Sequence, residues 1–289
     1  MLLAATLDLE ATAPATLPDA MGERVRGALF DALKAQDAAL AADTHADRPV
    51  QPYTVAWFGP RGDVGAGARA TVRWTAVEAG VARTLSTCVL PAVGATFDLS
   101  GQAWRVVGGG DWDHRRPAGQ GGVGTGTTGV PPTGPWAGAA TFEELARTYL
   151  IGGRRPPSRV ELAFATPTTF HSAGRSLPLP LPRLVFGSLI ERWNAFAPLR
   201  IDPEVLAVVD QAVTIGRYEL RTEAVALSGG LQVGFVGRCG YILTPGRGLR
   251  PADEYAWRVL HLMGAYAFFA GVGAKTTMGM GTVRPVTGR

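Results

Sequence analysis

Lysine is almost missing from this 289-residue chain: of its 28 basic side chains only Lys34 and Lys275 are lysines, and the rest are arginines. Two readings stay open. One is the base composition of a GC-rich genome; the other is a use for the planar guanidinium, which grips phosphate oxygens with two parallel hydrogen bonds. Cysteine is as scarce, with only Cys88 and Cys239. Two distant cysteines exclude a disulfide scaffold, and with no histidine at ligand spacing they do not start a zinc site; both are expected as buried free thiols. No paired-carboxylate cluster stands out either, so neither a metal nor any other cofactor is expected. Charge is low at 18% and apolar content is 46%, which excludes disorder as the main state and supplies enough hydrophobic residues for one large core or two. Long apolar runs are absent. The longest helical one without Lys, Arg, Asp or Glu, residues 259–274, is shorter than a bilayer span and holds His261 and three glycines. Residues 1–5 carry no basic stretch before Asp8 and Glu10, so the expectation is a soluble cytoplasmic protein with no membrane partner. A net charge of +4 at pI near 9.4 suggests an anionic partner and says no more.

What is present is a repeated order of elements. Alternation predicts a strand over 3–11 and a helix over 20–42, with Met21, Val25, Leu29, Leu33 and Leu40 as its apolar positions. Strands follow over 53–58 and 70–78, then a short apolar segment at 85–93 and a strand over 103–107. The order βαββαβ then recurs, with a strand over 159–165, a helix over 184–195, strands over 217–226 and 233–243, a helix over 253–270 and a strand over 281–285. The expected class is α+β: tandem ferredoxin-like, RRM-like domains, each an antiparallel sheet with helices on one face. The expected domains are 1–116 and 159–289. Between them, residues 117–158 form a Gly/Pro-rich loop, with eight glycines and four prolines over 117–139, and a linker helix that starts on the capping box Thr141 and Glu144.

The most specific stretch is Gly271-Val272-Gly273-Ala274-Lys275-Thr276-Thr277-Met278-Gly279-Met280-Gly281. Gly271, Gly273, Gly279 and Gly281 bracket one of the two lysines. Glycines let consecutive N–H groups form a concave nest for phosphate oxygens, and Lys275 adds a point charge. The known phosphate loops do not fit. A P-loop would need glycine at Ala274 and Phe269, the dinucleotide fingerprint would need one at Thr276, and both loops run from strand to helix rather than from helix to strand. A purely structural turn for tight helix–sheet packing is the alternative.

With those residues in view, the chain resembles the CRISPR-associated Cas6 endoribonucleases of the RAMP superfamily. The resemblance rests on the two Gly-hydrophobic-Gly triplets around a basic residue near the C-terminus. Residues 164–170, 184–194 and 234–238 with Tyr241, in that order, agree with it, as does a first helix followed by His45 and then Pro52-Tyr53-Thr54-Val55. The resemblance implies cleavage of CRISPR repeat RNA without metal: the 2′-hydroxyl attacks, leaving a 2′,3′-cyclic phosphate and a 5′-hydroxyl. It implies repeat RNA as partner, in precursor and mature form, with other Cas proteins of an effector complex as further partners and no DNA required.

Such a reaction needs proton transfer at two oxygens and positive charge at the phosphate. Of four histidines, His45 stands where the resemblance places the catalytic one, and imidazole is the side chain suited to that work near neutrality. His114 and His171 are expected as RNA contacts or surface residues, and His261 as a core or interface residue. The tyrosine that some family members carry in the first helix is Phe30 here, and the segment shortly after His45, where some carry a lysine, has none. Arg48 is the candidate for charge and Tyr53 for a hydrogen bond, with packing the competing role for Tyr53. For RNA binding the candidates are Lys275 and the four glycines, Arg192, Arg238, Arg115, Arg116, Arg154 and Arg155. Two other functions compete: a catalytically silent RNA-binding RAMP subunit, and a tandem ferredoxin-like protein that binds a small anionic metabolite in the glycine loop.

Overall fold

The computed structural model describes residues 1–99, 101–109, 136–152, 156–172, 174–244 and 251–286. The chain forms two compact units, and neither is continuous in sequence. The first comprises residues 1–140, 225–232 and 275–280; the second comprises 141–224, 233–274 and 281–289. His114, Arg115, Arg116, Arg154 and Arg155 lie outside the described residues.

In the first unit β1 (Leu2–Ala11) leads through β2 (Ala15–Leu17) to α1 (Met21–Gln36) and α2 (Ala38–His45). Then come β3 (Tyr53–Phe58), β4 (Gly62–Val64), β5 (Arg69–Ala76), α3 (Ala79–Thr84), a π-helical turn (Leu85–Val89) and α4 (Leu90–Ala92). β6 (Thr96–Leu99), β7 (Gln102–Gly109) and β8 (Gly138–Ala140) complete it. The sheet order is β3-β5-β1-β7-β6, all antiparallel, and β8 pairs with β1 where β7 leaves it. Period-2 alternation turns Leu3, Ala5, Leu7 and Leu9 to the helices, and the four-residue spacing of Met21, Val25, Leu29 and Leu33 turns α1 onto them. Each of those helical side chains is buried, worth about 1.5–3 kcal/mol apiece.

The single helix expected over 20–42 is two. Asp37 is extended (φ −152°), and its carboxylate accepts the Leu40 N–H at 2.9 Å, so one residue ends α1 and caps α2. Cys88 is a second correction: it faces solvent from the π-helical turn while Leu85 and Val89 take the buried positions, and only Cys239 is buried.

In the second unit α5 (Phe142–Ala146) starts on the expected capping box and ends in a π-helical turn (Arg147–Ile151). β9 (Arg159–Thr168), the small hairpin β10 (Phe170–Ser172) and β11 (Arg175–Leu177), α6 (Pro182–Phe196) and α7 (Val205–Ala212) follow. Next come β12 (Val213–Leu227), β13 (Gly230–Leu243), α8 (Pro251–Ala270) and β14 (Val283–Pro285); residues 225–232 at the tip of the β12–β13 hairpin and the 3₁₀ turn (Thr276–Met278) that precedes β14 in the chain belong to the first unit. The order β12-β13-β9-β14 repeats the connectivity of the first sheet. Trp193 of α6 is fully buried against Phe142 and Tyr266. Among the described residues, no helix is long and apolar enough to cross a membrane.

Candidate functional site

The flank of α1 beside its apolar stripe carries Arg26 and Phe30, one turn apart, with the guanidinium 5.7 Å from the ring centroid. Because Asp37 turns the chain back, α2 ends at the same place. The exposed imidazole of His45, its last residue, meets Phe30 edge-on at 4.9 Å. β3 opens with Tyr53, whose ring stands at 87° to Phe30 with centroids 5.3 Å apart. Arg26 Nε donates to the Tyr53 hydroxyl at 3.0 Å. One phenylalanine thus gathers an imidazole, a guanidinium and a phenol from three elements.

The 3₁₀ turn of the glycine-rich stretch belongs to the same unit. The Thr277 side chain lies within hydrogen-bonding reach of the Tyr53 hydroxyl. Burial holds the Tyr53 phenol above its ordinary pKa, against the opposing influence of Arg26 and Thr277, so it stays neutral around pH 7. Gly22 of α1 explains how the turn gets so close: a Cβ there would overlap the Met278 carbonyl. Lys275, half-buried, enters the turn with φ of 58°, and among the described residues it is the one non-glycine with positive φ. Strain of that kind persists only where neighbours hold it in place. Here the Lys275 carbonyl accepts the Met278 and Met280 N–H groups at 2.9 and 3.3 Å.

Gly271, Gly273 and Gly281 of the stretch are braced in the second unit. Gly273 (φ 79°) could not carry a Cβ, which would overlap the Thr169 carbonyl, and that same carbonyl accepts the Ala274 N–H at 2.8 Å. Gly281 N–H donates to the Pro167 carbonyl at 3.0 Å, and the Gly281 carbonyl accepts from Val272 at 2.9 Å, close to Gly271. Arg192 donates to the carbonyls of Gly273 at 2.8 Å and Ala270 at 3.3 Å, and burial lowers its pKa.

Of the residues singled out from sequence, the structure brings together His45, Tyr53 and the turn after Lys275. Arg48 is engaged elsewhere, paired with Asp43 and with Glu78 at 3.3 Å; the Asp43 hydrogen bond leads in raising its pKa. Arg238 is exposed on β13 opposite Ala163, and Arg284 stands opposite the same alanine from β14, so two guanidinium-bearing residues flank one position of that sheet. Arg284, whose pKa burial lowers with help from the charge of Arg238, was not legible in sequence. Exposed His171 lies on β10, while half-buried His261 meets the Pro157 carbonyl at 2.9 Å. Sequence reasoning also passed over Arg26 and Thr277. The one available signal for Arg26 was its four-residue spacing from Phe30 on the flank of α1.

Three comparisons bear on this geometry. The family model for the CRISPR-associated endoribonuclease Cas6 matches residues 162–283. A Cas6 endoribonuclease of Mycobacterium tuberculosis (strain CDC 1551 / Oshkosh) is 30% identical over 144 residues; the match takes in 50% of this chain and 43% of that protein. The fold of a product complex of Cas6 from Thermus thermophilus superposes with a TM-score of 0.75 at 26% identity, covering 99% of this chain and 100% of that one. A second Cas6 product complex gives 0.71 at 29% identity, with 99% of each chain covered.

Proposed function

Because this chain belongs to the family of CRISPR-associated Cas6 endoribonucleases, we propose that it cuts the repeat RNA of CRISPR precursors, as the resemblance of its sequence motifs implies. The single observation that carries the reading is the gathering of His45, Arg26 and Tyr53 around Phe30, beside Thr277 of the glycine-rich turn. In the proposed reaction the 2′-oxygen loses its proton and attacks the adjacent phosphorus. The bond from phosphorus to the 5′-oxygen breaks, and that oxygen takes up a proton. The products are a 2′,3′-cyclic phosphate and a 5′-hydroxyl, formed without a metal ion.

His45, exposed at the end of α2, is the proton-transfer group. Arg26 faces the phosphate and offsets the charge that builds on its oxygens; only its Nε is engaged by Tyr53. Tyr53 is a positioning residue, since its hydroxyl is taken up by Arg26. Arg48 pins the segment that follows His45 to Glu78. Lys275 contacts RNA phosphate, and Gly271, Gly273, Gly279 and Gly281 give its loop the shape to do so. Arg192 holds that loop by its carbonyls, and Arg238 adds an RNA contact on the second sheet, with Arg115, Arg116, Arg154 and Arg155 as further ones. The RNA stays bound after cutting and is handed on with the protein to other Cas proteins.

The test is incubation with repeat RNA in EDTA. A single cut with a cyclic-phosphate end supports the reading. Tight binding without cutting identifies a silent RNA-binding subunit, and absence of binding leaves the anionic-metabolite alternative.

A further inference from the structure

Each of the two sheets sets an arginine on either side of one position of its central strand. In the first unit that position is Glu10 of β1, which stands opposite Arg69 of β5 and opposite Arg105 of β7. Its carboxylate bridges the two, at 2.8 Å from Arg69 and in a closer pair with Arg105, whose hydrogen bond leads in lowering the Glu10 pKa. In the second unit the strands of the same connectivity are β9, β13 and β14, and the position between Arg238 and Arg284 is Ala163. Alanine supplies no carboxylate.

β9 turns Val160 and Leu162 to α8, where Gly264 lies against both, so Ala163 is on the opposite face of the sheet. Neighbouring strands lie about 4.8 Å apart, which sets the two arginine backbones roughly 10 Å apart, the span that Glu10 bridges in the first unit. The register of β13 against β9 shifts between Phe235 and Gly237 (φ 121°), immediately before Arg238, and bulges of this kind re-aim a side chain. Burial lowers the Arg284 pKa and the charge of Arg238 lowers it further, so the two like charges feel one another and an anion between them relieves both. The next carboxylate along β9, Glu161, is met by Arg159 at 3.5 Å. A phosphodiester fits such a pair, since it offers one non-bridging oxygen to each guanidinium. The methyl group of Ala163 has no donor or acceptor with which to read a base. We propose that Arg238 and Arg284 clamp one phosphodiester of the repeat RNA over Ala163, a sequence-independent contact that rests on the reading of this chain as a repeat-RNA nuclease.

The test is fluorescence anisotropy of the full chain with labelled repeat RNA that carries 2′-O-methyl groups throughout, which blocks cutting. Arg238→Gln and Arg284→Gln should each weaken binding about tenfold and lower the slope of log affinity against log salt by about one. A scrambled RNA of equal length should lose affinity by the same factor. Because a phosphate held from two sides is released when either grip goes, the double variant should stay within about threefold of the weaker single. Circular dichroism checks the fold, and Arg238→Gln alters an exposed side chain, so the clamp is tested even if Arg284→Gln unfolds. The proposal is overturned by losses that multiply in the double variant, which would mean two separate contacts, and by losses confined to the repeat sequence, which would make the arginines base readers. It is equally overturned by variants of parent affinity, which would leave the pair to a carboxylate of a protein partner. A parent that binds no repeat RNA overturns the functional reading and the clamp with it, whereas a parent that binds, beside variants that bind as tightly, overturns the clamp alone.

Discussion

The Tyr53 hydroxyl accepts the Nε hydrogen of Arg26 at 3.0 Å, and this one bond ties the first strand residue after the His45 segment to the flank of α1. It holds the half-buried guanidinium in place over Phe30. Tyr53→Phe keeps the ring against Phe30 and removes the bond. Stability should fall by about 1 kcal/mol in denaturant titration, while cleavage slows and RNA affinity holds. Arg26→Gln should slow single-turnover cleavage by on the order of tenfold to a hundredfold, and a rate equal to the parent would remove Arg26 from the site.

His45→Ala takes away the imidazole that meets Phe30 edge-on. The expected outcome is single-turnover cleavage slower by on the order of a hundredfold or more, with repeat RNA bound as before. Near-normal cutting would assign the proton transfer to another group.

Lys275 separates charge from backbone shape because it sits at φ 58°. Lys275→Ala and Lys275→Gly should weaken RNA binding alike, each reducing the slope of log affinity against log salt by about one. On thermal unfolding they should part: glycine relieves the left-handed strain and comes out about 1 kcal/mol more stable than alanine.

Gly22→Ala places a methyl group where the Met278 carbonyl oxygen now lies. The turn must move away from α1, at a cost of about 1–3 kcal/mol in stability. Cleavage should suffer more than the global fold, as read by rate against circular dichroism.

The two cysteines differ in burial. Burial pushes the Cys239 thiol up to about 11 from an ordinary value near 9, whereas Cys88 is exposed. A thiol reagent should therefore titrate Cys88 in the folded protein and reach Cys239 only on unfolding. The fold binds the Cys239 proton more tightly than the unfolded chain does. Its stabilising share is complete below pH 9 and is lost as pH rises through about 11, so Cys239→Ala should flatten the decline in stability over that window.

The two βαββαβ units were legible because each element is written in a local period: Leu3, Ala5, Leu7 and Leu9 alternate, and Val25, Leu29 and Leu33 recur by helical turns. The glycine spacing around Lys275 was legible for the same reason, since a backbone that needs positive φ at Gly273 and Gly279 leaves glycine in the sequence. The break at Asp37 was not. Apolar positions continue through Leu40, and only the Asp37 carboxylate capping Leu40 shows that the second helix starts anew.

Sequence by itself therefore determined the class of fold, the place of His45 at the end of the first helical region and the glycine-rich stretch, all features of neighbours along the chain. Tertiary structure alone decided which charges are available. Arg48 and Arg192 look in sequence like any other arginine, yet one is paired with Asp43 and Glu78 and the other with the carbonyls of Ala270 and Gly273. Arg26 gained its place because α1, β3 and the turn at Thr277, distant along the chain, meet at one phenol. A side chain's partners depend on distance in space, and a one-dimensional pattern does not record contacts between residues so far apart.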